Sequence, residues 1–178
     1  RGCRHGGGCV FLMEPIIKSE VIDCKTGILQ SLYDSGNRLL HIHRFADSDD
    51  DHIRHLLQWI GPKHGAQIID MGCGFGEMAK LMAGQRPDLQ FTLLNLSAPQ
   101  LEYAPPKFHR IHGDFHAVDK PDSSYDVVMF CFSIGHADIE KALAESFRLL
   151  RLGGTLFVYD MARVEGDNAK MEDLAAYR

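Results

Sequence analysis

Ile68-Ile69-Asp70-Met71-Gly72-Cys73-Gly74-Phe75-Gly76-Glu77 is the stretch that decides the reading of this chain. A short apolar strand runs into a turn with glycine at every second position, and an amphipathic helix follows. Gly72, Gly74 and Gly76 carry no side chain, so a nucleotide-like ligand can lie directly against the backbone there. Asp70 at the end of the strand adds a chemical constraint. Its carboxylate accepts hydrogen bonds from an amine or a hydroxyl and repels a phosphate. The pattern D-x-G-x-G-x-G therefore favours a ligand with a positively charged amino-acid portion over a dinucleotide pyrophosphate.

Outward from this turn, strand and helix signals alternate. Strands are expected at Gln67–Met71, Leu89–Asn95, Phe108–His112, Tyr125–Phe132 and Thr155–Asp160. Helices are expected at about Gly76–Gly84, Ala98–Tyr103 and Asp138–Arg151, the last with Ile139, Leu143, Phe147 and Leu150 on one face and a stop at Gly153-Gly154. Near-continuous apolar runs such as Val127-Val128-Met129-Phe130 imply strands buried on both faces. The fold class is therefore α/β: a Rossmann-like, doubly wound, mostly parallel sheet with helices on both faces. Before it, Ile53, Leu56, Leu57 and Ile60 form an i, i+3, i+4, i+7 stripe ended by Gly61-Pro62. The acidic run Asp49 to Asp51 opens that helix by capping and by opposing its dipole.

The 178 residues, 45% hydrophobic and 24% charged, suffice for one sizeable core. A formal net charge of −5, with no basic run longer than a pair, disfavours a nucleic-acid partner. No stretch approaches the roughly 20 apolar residues of a membrane span. The five scattered cysteines include no C-x-x-C pair and read as reduced thiols, so a cytoplasmic location is expected. Residues 1–12, glycine-rich and basic, read as a disordered or non-native leader; residues 13–62 form a helical lid segment; residues 63–178 form the ligand-binding domain.

Further polar residues fall at the C-terminal ends of successive strands, where open α/β sheets bind ligands. They are Leu94-Asn95-Leu96-Ser97 with Gln100, then Gly113-Asp114-Phe115, then Cys131-Phe132-Ser133 with Ile134-Gly135-His136. In this order, over Gln67 to Met161, they resemble the class I S-adenosylmethionine-dependent methyltransferases. Ser124-Tyr125-Asp126-Val127-Val128 and Phe147-Arg148-Leu149-Leu150-Arg151-Leu152-Gly153-Gly154 are similar to segments of the small-molecule branch. The resemblance implies S-adenosylmethionine as cofactor and S-adenosylhomocysteine as product. It implies that Asp70 receives the cofactor's amino group while Gly72 and Gly74 make room for its methionine portion. The ribose position, usually Asp or Glu, is Asn95 here. Leu96-Ser97-Ala98-Pro99-Gln100 looks like a segment of the cyclopropane synthases and the sterol or terpenyl C-methyltransferases, in which Gln100 makes the ribose contact. Asp114 would accept the adenine amine with Phe115 beside the ring, and Met71, Cys73, Leu96 and Cys131 would line the site.

Each residue also has a plainer reading. Gly72 and Asp114 singly are turn residues, Asn95 an ordinary strand end, and Phe115 core packing. His136 is the general-base candidate because of its near-neutral pKa, or else it caps the helix near Asp138. Tyr33, in Leu32-Tyr33-Asp34-Ser35-Gly36-Asn37, closes over the cofactor as a lid or packs as an aromatic plug. His41, His43, His52 and His55 read as solvated histidines, and no metal is assigned. The seven-stranded sheet of the resembled class ends in a strand hairpin, which is missing here after Asp160. The chain is then a fragment, or a homo-oligomer covers the strand-five edge. The function expected is methyl transfer to a small molecule at carbon, nitrogen or oxygen. The alternatives are a non-catalytic binding or assembly domain and a nicotinamide-dependent dehydrogenase, the latter disfavoured by Asp70 and by the lack of a Tyr-x-x-x-Lys pair.

Overall fold

Four helix signals and five strand signals are realised in chain order, at bounds close to those expected up to the last helix and strand. The computed structural model describes residue 46 and residues 48–160. Its elements are α1 (Asp49–Ile60), β1 (Gln67–Met71), α2 (Glu77–Gln85), β2 (Gln90–Asn95), α3 (Ala98–Tyr103), β3 (His109–His112), β4 (Tyr125–Cys131), a 3₁₀ turn (Ile134–His136), α4 (Ile139–Leu149) and β5 (Leu150–Tyr159). The leader, most of the lid segment with Tyr33, and everything from Met161 onward lie outside the described residues.

The strands form one parallel sheet in the order β3-β2-β1-β4-β5. The chain steps from β1 outward to β2 and β3, then returns to the other side of β1 with β4. This reversal leaves a crevice at the C-terminal ends of β1 and β4, where such sheets place their ligands. Asp70 lies at that point, in register with Leu93 of β2 and Met129 of β4.

Period-two alternation divides the central strands between two cores. Ile68, Leu93, Val127 and Met129 pack with Ile53, Leu56 and Ile60 of α1 and Met78 and Met82 of α2. Ile69, Leu94, Val128 and Phe130 pack on the opposite face with Ala142 and Leu149 of α4. The α1 stripe is buried as expected. Its cap is Ser48, whose Oγ accepts from the Asp51 N–H at 3.1 Å, while the aspartates occupy the first turn. The reading of His52 as a solvated histidine does not hold, because α1 turns it inward among its apolar stripe. His52 is buried with its ring 5.6 Å from that of Tyr159, whereas His55 is half-buried near Asp51 and Trp59. No helix among the described residues is long and apolar enough to cross a membrane.

Helix α4 departs most from expectation. Its inward residues are Ala142, Glu145, Ser146 and Leu149, while Ile139 and Phe147 are exposed. Hydrogen bonding explains the inversion. Glu145 Oε1 accepts from the Val118 N–H at 2.7 Å, and Ser146 Oγ donates to the Ala142 carbonyl at 2.6 Å. Arg148 donates to the carbonyls of Val118 and Lys120 and to the carboxylates of Glu145 and Asp122, at 2.6–2.9 Å. These bonds pin the loop between β3 and β4 to α4. The guanidinium beside Glu145 holds that carboxyl below its ordinary pKa.

The helix also ends earlier than expected, at Leu149, and Gly153-Gly154 lies inside β5 rather than at the helix stop. Between Tyr125↔Leu150 and Val127↔Thr155 strand β5 carries extra residues, a bulge. Gly154 is required there, because a Cβ would meet the carbonyl oxygens of Arg151 and Asp126 at 2.9 Å each.

Replacing Arg148 with Ala removes the clamp and strands Glu145 without its cation. Urea unfolding is expected to register a loss of about 2–3 kcal/mol, with Arg148→Lys recovering only part because an ammonium cannot span the same acceptors.

Candidate active site

The turn after β1 is held by its neighbours before any ligand arrives. The N–H groups of Gly72 and Cys73 both donate to the Leu94 carbonyl, at 2.9 and 3.0 Å. Ser133 Oγ, just beyond β4, donates to the Met71 carbonyl at 2.5 Å. Three strands thus fix one turn.

The three glycines of the turn are not equivalent in their surroundings. A Cβ on Gly72 would fall 2.6 Å from Ser133 Cβ, and one on Gly76 would fall 2.7 Å from Leu93 Cδ1. These two are bare so that β4 and β2 can pack against the turn. At Gly74, φ +55, nothing lies within 4 Å. Gly74 is therefore the position of the three that opens onto free space.

Asp70 is the most unusual group in the site. It is 1% exposed, and neither carboxylate oxygen has a hydrogen-bond partner. Desolvation raises its pKa from 3.8 to about 7. A buried carboxylate in this state is stabilised by a cationic donor, reached directly or through water. Its field reaches both neighbouring thiols. Burial and then the Asp70 charge push Cys73 and Cys131 up, so both are neutral. Neither forms a disulfide.

Asn95 and Gln100, expected as alternative ribose contacts, act as one unit. Asn95 Nδ2 donates to Gln100 Oε1 at 2.6 Å and to the Gly74 carbonyl at 3.2 Å, and both side chains are buried. A carboxylate at position 95 would repel that carbonyl; the amide binds it and props the open glycine. The pairing engages the acceptor of Gln100, so Gln100 offers a hydroxyl its Nε2 donor. Leu96 is 57% exposed beside this pair.

Across the site Asp114 Oδ1 accepts from the backbone N–H of His116 at 2.9 Å and is 2.6 Å from its ring Nδ1. Phe115 packs between the rings of His116 and Phe130, at 4.7 and 5.7 Å. Phe115 is therefore packed, partly buried, against the core. The backbone of His136 lies in the 3₁₀ turn after β4, while Asp138, not His136, caps α4 through its Oδ1 and the Lys141 N–H. Tyr33 falls outside the described residues.

Sequence reasoning assigned no role to Ser133, His116 or Phe132. Phe132 adopts φ +57, an uncommon conformation for a residue with a side chain, held by its N–H bond to the Tyr159 carbonyl at 2.8 Å and a ring contact at 4.8 Å. Only the spacing of Asp114 and His116 carried a local signal, since an aspartate commonly accepts from the N–H two residues on.

The strand order, the carboxylate at the switch point and the open glycine define the fold of a class I S-adenosylmethionine-dependent methyltransferase. The family described as "Methyltransferase domain" matches residues 69–158, and the chain belongs to it. S-adenosylmethionine is the cofactor of this class, and the partnerless Asp70 carboxylate fits its amino group.

Among characterised proteins, sterol 24-C-methyltransferase erg6 of Aspergillus fumigatus is 31% identical over 146 residues, which is 72% of this chain and 38% of that protein. The ubiquinone/menaquinone biosynthesis C-methyltransferase UbiE of Dinoroseobacter shibae is 27% identical over 162 residues, 80% of this chain and 62% of that protein. The chain thus spans less than two thirds of either relative. The crystal structure of the [4+2]-cyclase SpnF shares the fold, with a TM-score of 0.65 and 21% identity over 84% of this chain and 67% of that one.

The raised pKa of Asp70 has a stability consequence. The folded carboxyl keeps its proton up to about pH 7 while the unfolded one releases it near 3.8, so the native state holds the extra proton between these values. Stability conferred on the protonated form falls as pH rises through that window. Asp70→Asn removes the fall. In thermal or urea unfolding the variant is expected to match the parent near pH 4 and exceed it at pH 8 by up to about 4 kcal/mol. Equal pH profiles for the two proteins would contradict the assignment.

Proposed function

We propose that this chain transfers the methyl group of S-adenosylmethionine to a small organic acceptor, with a carbon acceptor favoured over nitrogen or oxygen. The observation that carries the proposal is the buried, partnerless carboxylate of Asp70 beside the one glycine of the turn that faces open space. The C-methyltransferase relatives support the choice of carbon.

In this reading Asp70 takes the cofactor's ammonium and the main chain of Met71 to Gly74 bounds its methionine portion. The Asn95–Gln100 pair offers Gln100 Nε2 to the ribose. Asp114 accepts the adenine amine through Oδ2, since Oδ1 is held by His116. Leu96 and Phe115 bound the base, and Cys131 adds a neutral wall. When bound, the cofactor supplies a methyl group on a positively charged sulfur. What remains for the protein is to orient the acceptor, exclude water and, where required, remove a proton. His136, on the turn after β4, is the base of this proposal, and Tyr33 its lid.

The acceptor is not a nucleic acid, in keeping with the acidic balance of the chain. The free thiols of Cys73 and Cys131 suit a cytoplasmic site of action. A homo-oligomer paired along β5, where Leu152 and Val158 are exposed, completes the reading. Sedimentation equilibrium is expected to give a mass of at least two chains.

A second reading has specific support in the fold shared with a [4+2]-cyclase: the domain binds the nucleoside and transfers nothing. Incubation with methyl-labelled S-adenosylmethionine and a panel of lipophilic acceptors separates the two. Label appearing in an organic-soluble product supports the methyltransferase; nucleoside binding without label transfer supports the second reading. Asp70→Ala is expected to weaken calorimetric binding of S-adenosylhomocysteine by 100-fold or more, and unchanged affinity would remove the amino-group assignment.

A further inference from the structure

His116 is bonded on both sides of its ring, to partners from two different parts of the site. Its Nε2 is 3.0 Å from the N–H of Asp138, the N-cap residue of α4. An N–H can only donate, so Nε2 accepts and the ring proton resides on Nδ1. That proton faces Asp114 Oδ1, 2.6 Å away. The backbone N–H of His116 donates to the same oxygen at 2.9 Å. One carboxylate oxygen is therefore saturated and immobilised, which leaves Oδ2 as the oxygen able to take a further donor. Asp114 itself is 56% exposed at its side chain, so without this bracing it would sample several rotamers in water.

The other end of the ring reaches the turn between β4 and α4. Asp138 follows His136 by two residues, and Gly135 in the same turn donates its N–H to Asp160 Oδ2 at 3.3 Å. Asp138 is also held by Lys141, whose N–H and Nζ bond its two oxygens at 3.3 and 2.9 Å. The residues that would read the base and the segment that would meet the acceptor are thus joined through a single imidazole.

We propose that His116 is a positioning residue: it presents Asp114 Oδ2 to the exocyclic amine of a bound adenine and couples that recognition to the Ser133–Asp138 turn where the methyl acceptor enters. The inference rests on the cofactor reading above and adds to it the means by which the adenine is distinguished and its arrival communicated. A purine with an oxygen in place of the amine presents an acceptor to Oδ2, and the braced carboxylate cannot rotate away from that clash.

The test is calorimetric binding of S-adenosylhomocysteine and of its deaminated analogue S-inosylhomocysteine to the full 178-residue chain. The native protein is expected to prefer the adenine compound by tenfold or more. In His116→Ala the preference falls to within about twofold. His116→Asn places an amide donor where Nδ1 was and restores most of the preference. Neither variant can accept at the Nε2 position, so in both the Asp138 amide exchanges with solvent at least tenfold faster than in the native protein.

A purely structural role would weaken both nucleosides equally, leave the ratio unmoved and gain nothing from Asn; that outcome overturns the proposal. Failure of the native chain to bind either nucleoside would overturn the cofactor reading and this inference with it. Binding with an unmoved ratio overturns this inference alone.

Discussion

Desolvation of one carboxylate organises the chemistry of this fold. Asp70 lies at the end of the central strand of a parallel sheet, buried between the strands on either side and with no hydrogen-bond partner for its oxygens. A group in that condition stores unfavourable free energy that a cation can release, so the site is prepared for a positively charged ligand before one is bound. Burial, and after it the charge of Asp70, keeps the two adjacent thiols protonated. They therefore act as small apolar walls rather than nucleophiles.

Around this carboxylate the polar groups are satisfied in an order that leaves specific atoms for a ligand. The Asn95 amide binds the Gly74 carbonyl and the acceptor of Gln100, which leaves a donor at Gln100. His116 binds one oxygen of Asp114 and leaves the other. Ser133 secures the Met71 carbonyl, and Leu94 secures two N–H groups of the turn. Rigidity of this kind lowers the entropy lost when a nucleoside binds. The Arg148–Glu145 network extends the same logic, because it fixes the loop that carries Asp114 and Phe115 against α4. Stability and recognition share these bonds.

Much of this was legible before the structure. Burial of Ile53, Leu56, Leu57 and Ile60 followed from their spacing, and the double-sided burial of β4 followed from its unbroken apolar run. The face of α4 was not legible. Apolar residues at Ile139 and Phe147 promised an inward stripe, yet Glu145 turned inward because its partners Val118 and Arg148 satisfied it there. Val118 stands 27 residues away in sequence, and no local pattern announces it. The bulge at Gly153-Gly154 was hidden for a related reason, since glycines that end a helix and glycines that admit a neighbouring carbonyl look alike in a sequence.

The sequence by itself determined the α/β alternation, the place of the ligand crevice and the cationic character of its occupant. All three follow from residues within a few positions of one another, where periodicity and charge act locally. Only the tertiary structure decided that Asp70 has no partner, that Gly72 leaves room for Ser133, and that His116 ties Asp114 to Asp138. Ser133 bonds across 62 residues and Asp138 across 22. Such pairings are fixed by strand order and packing, and neither is written in the neighbourhood of any single residue.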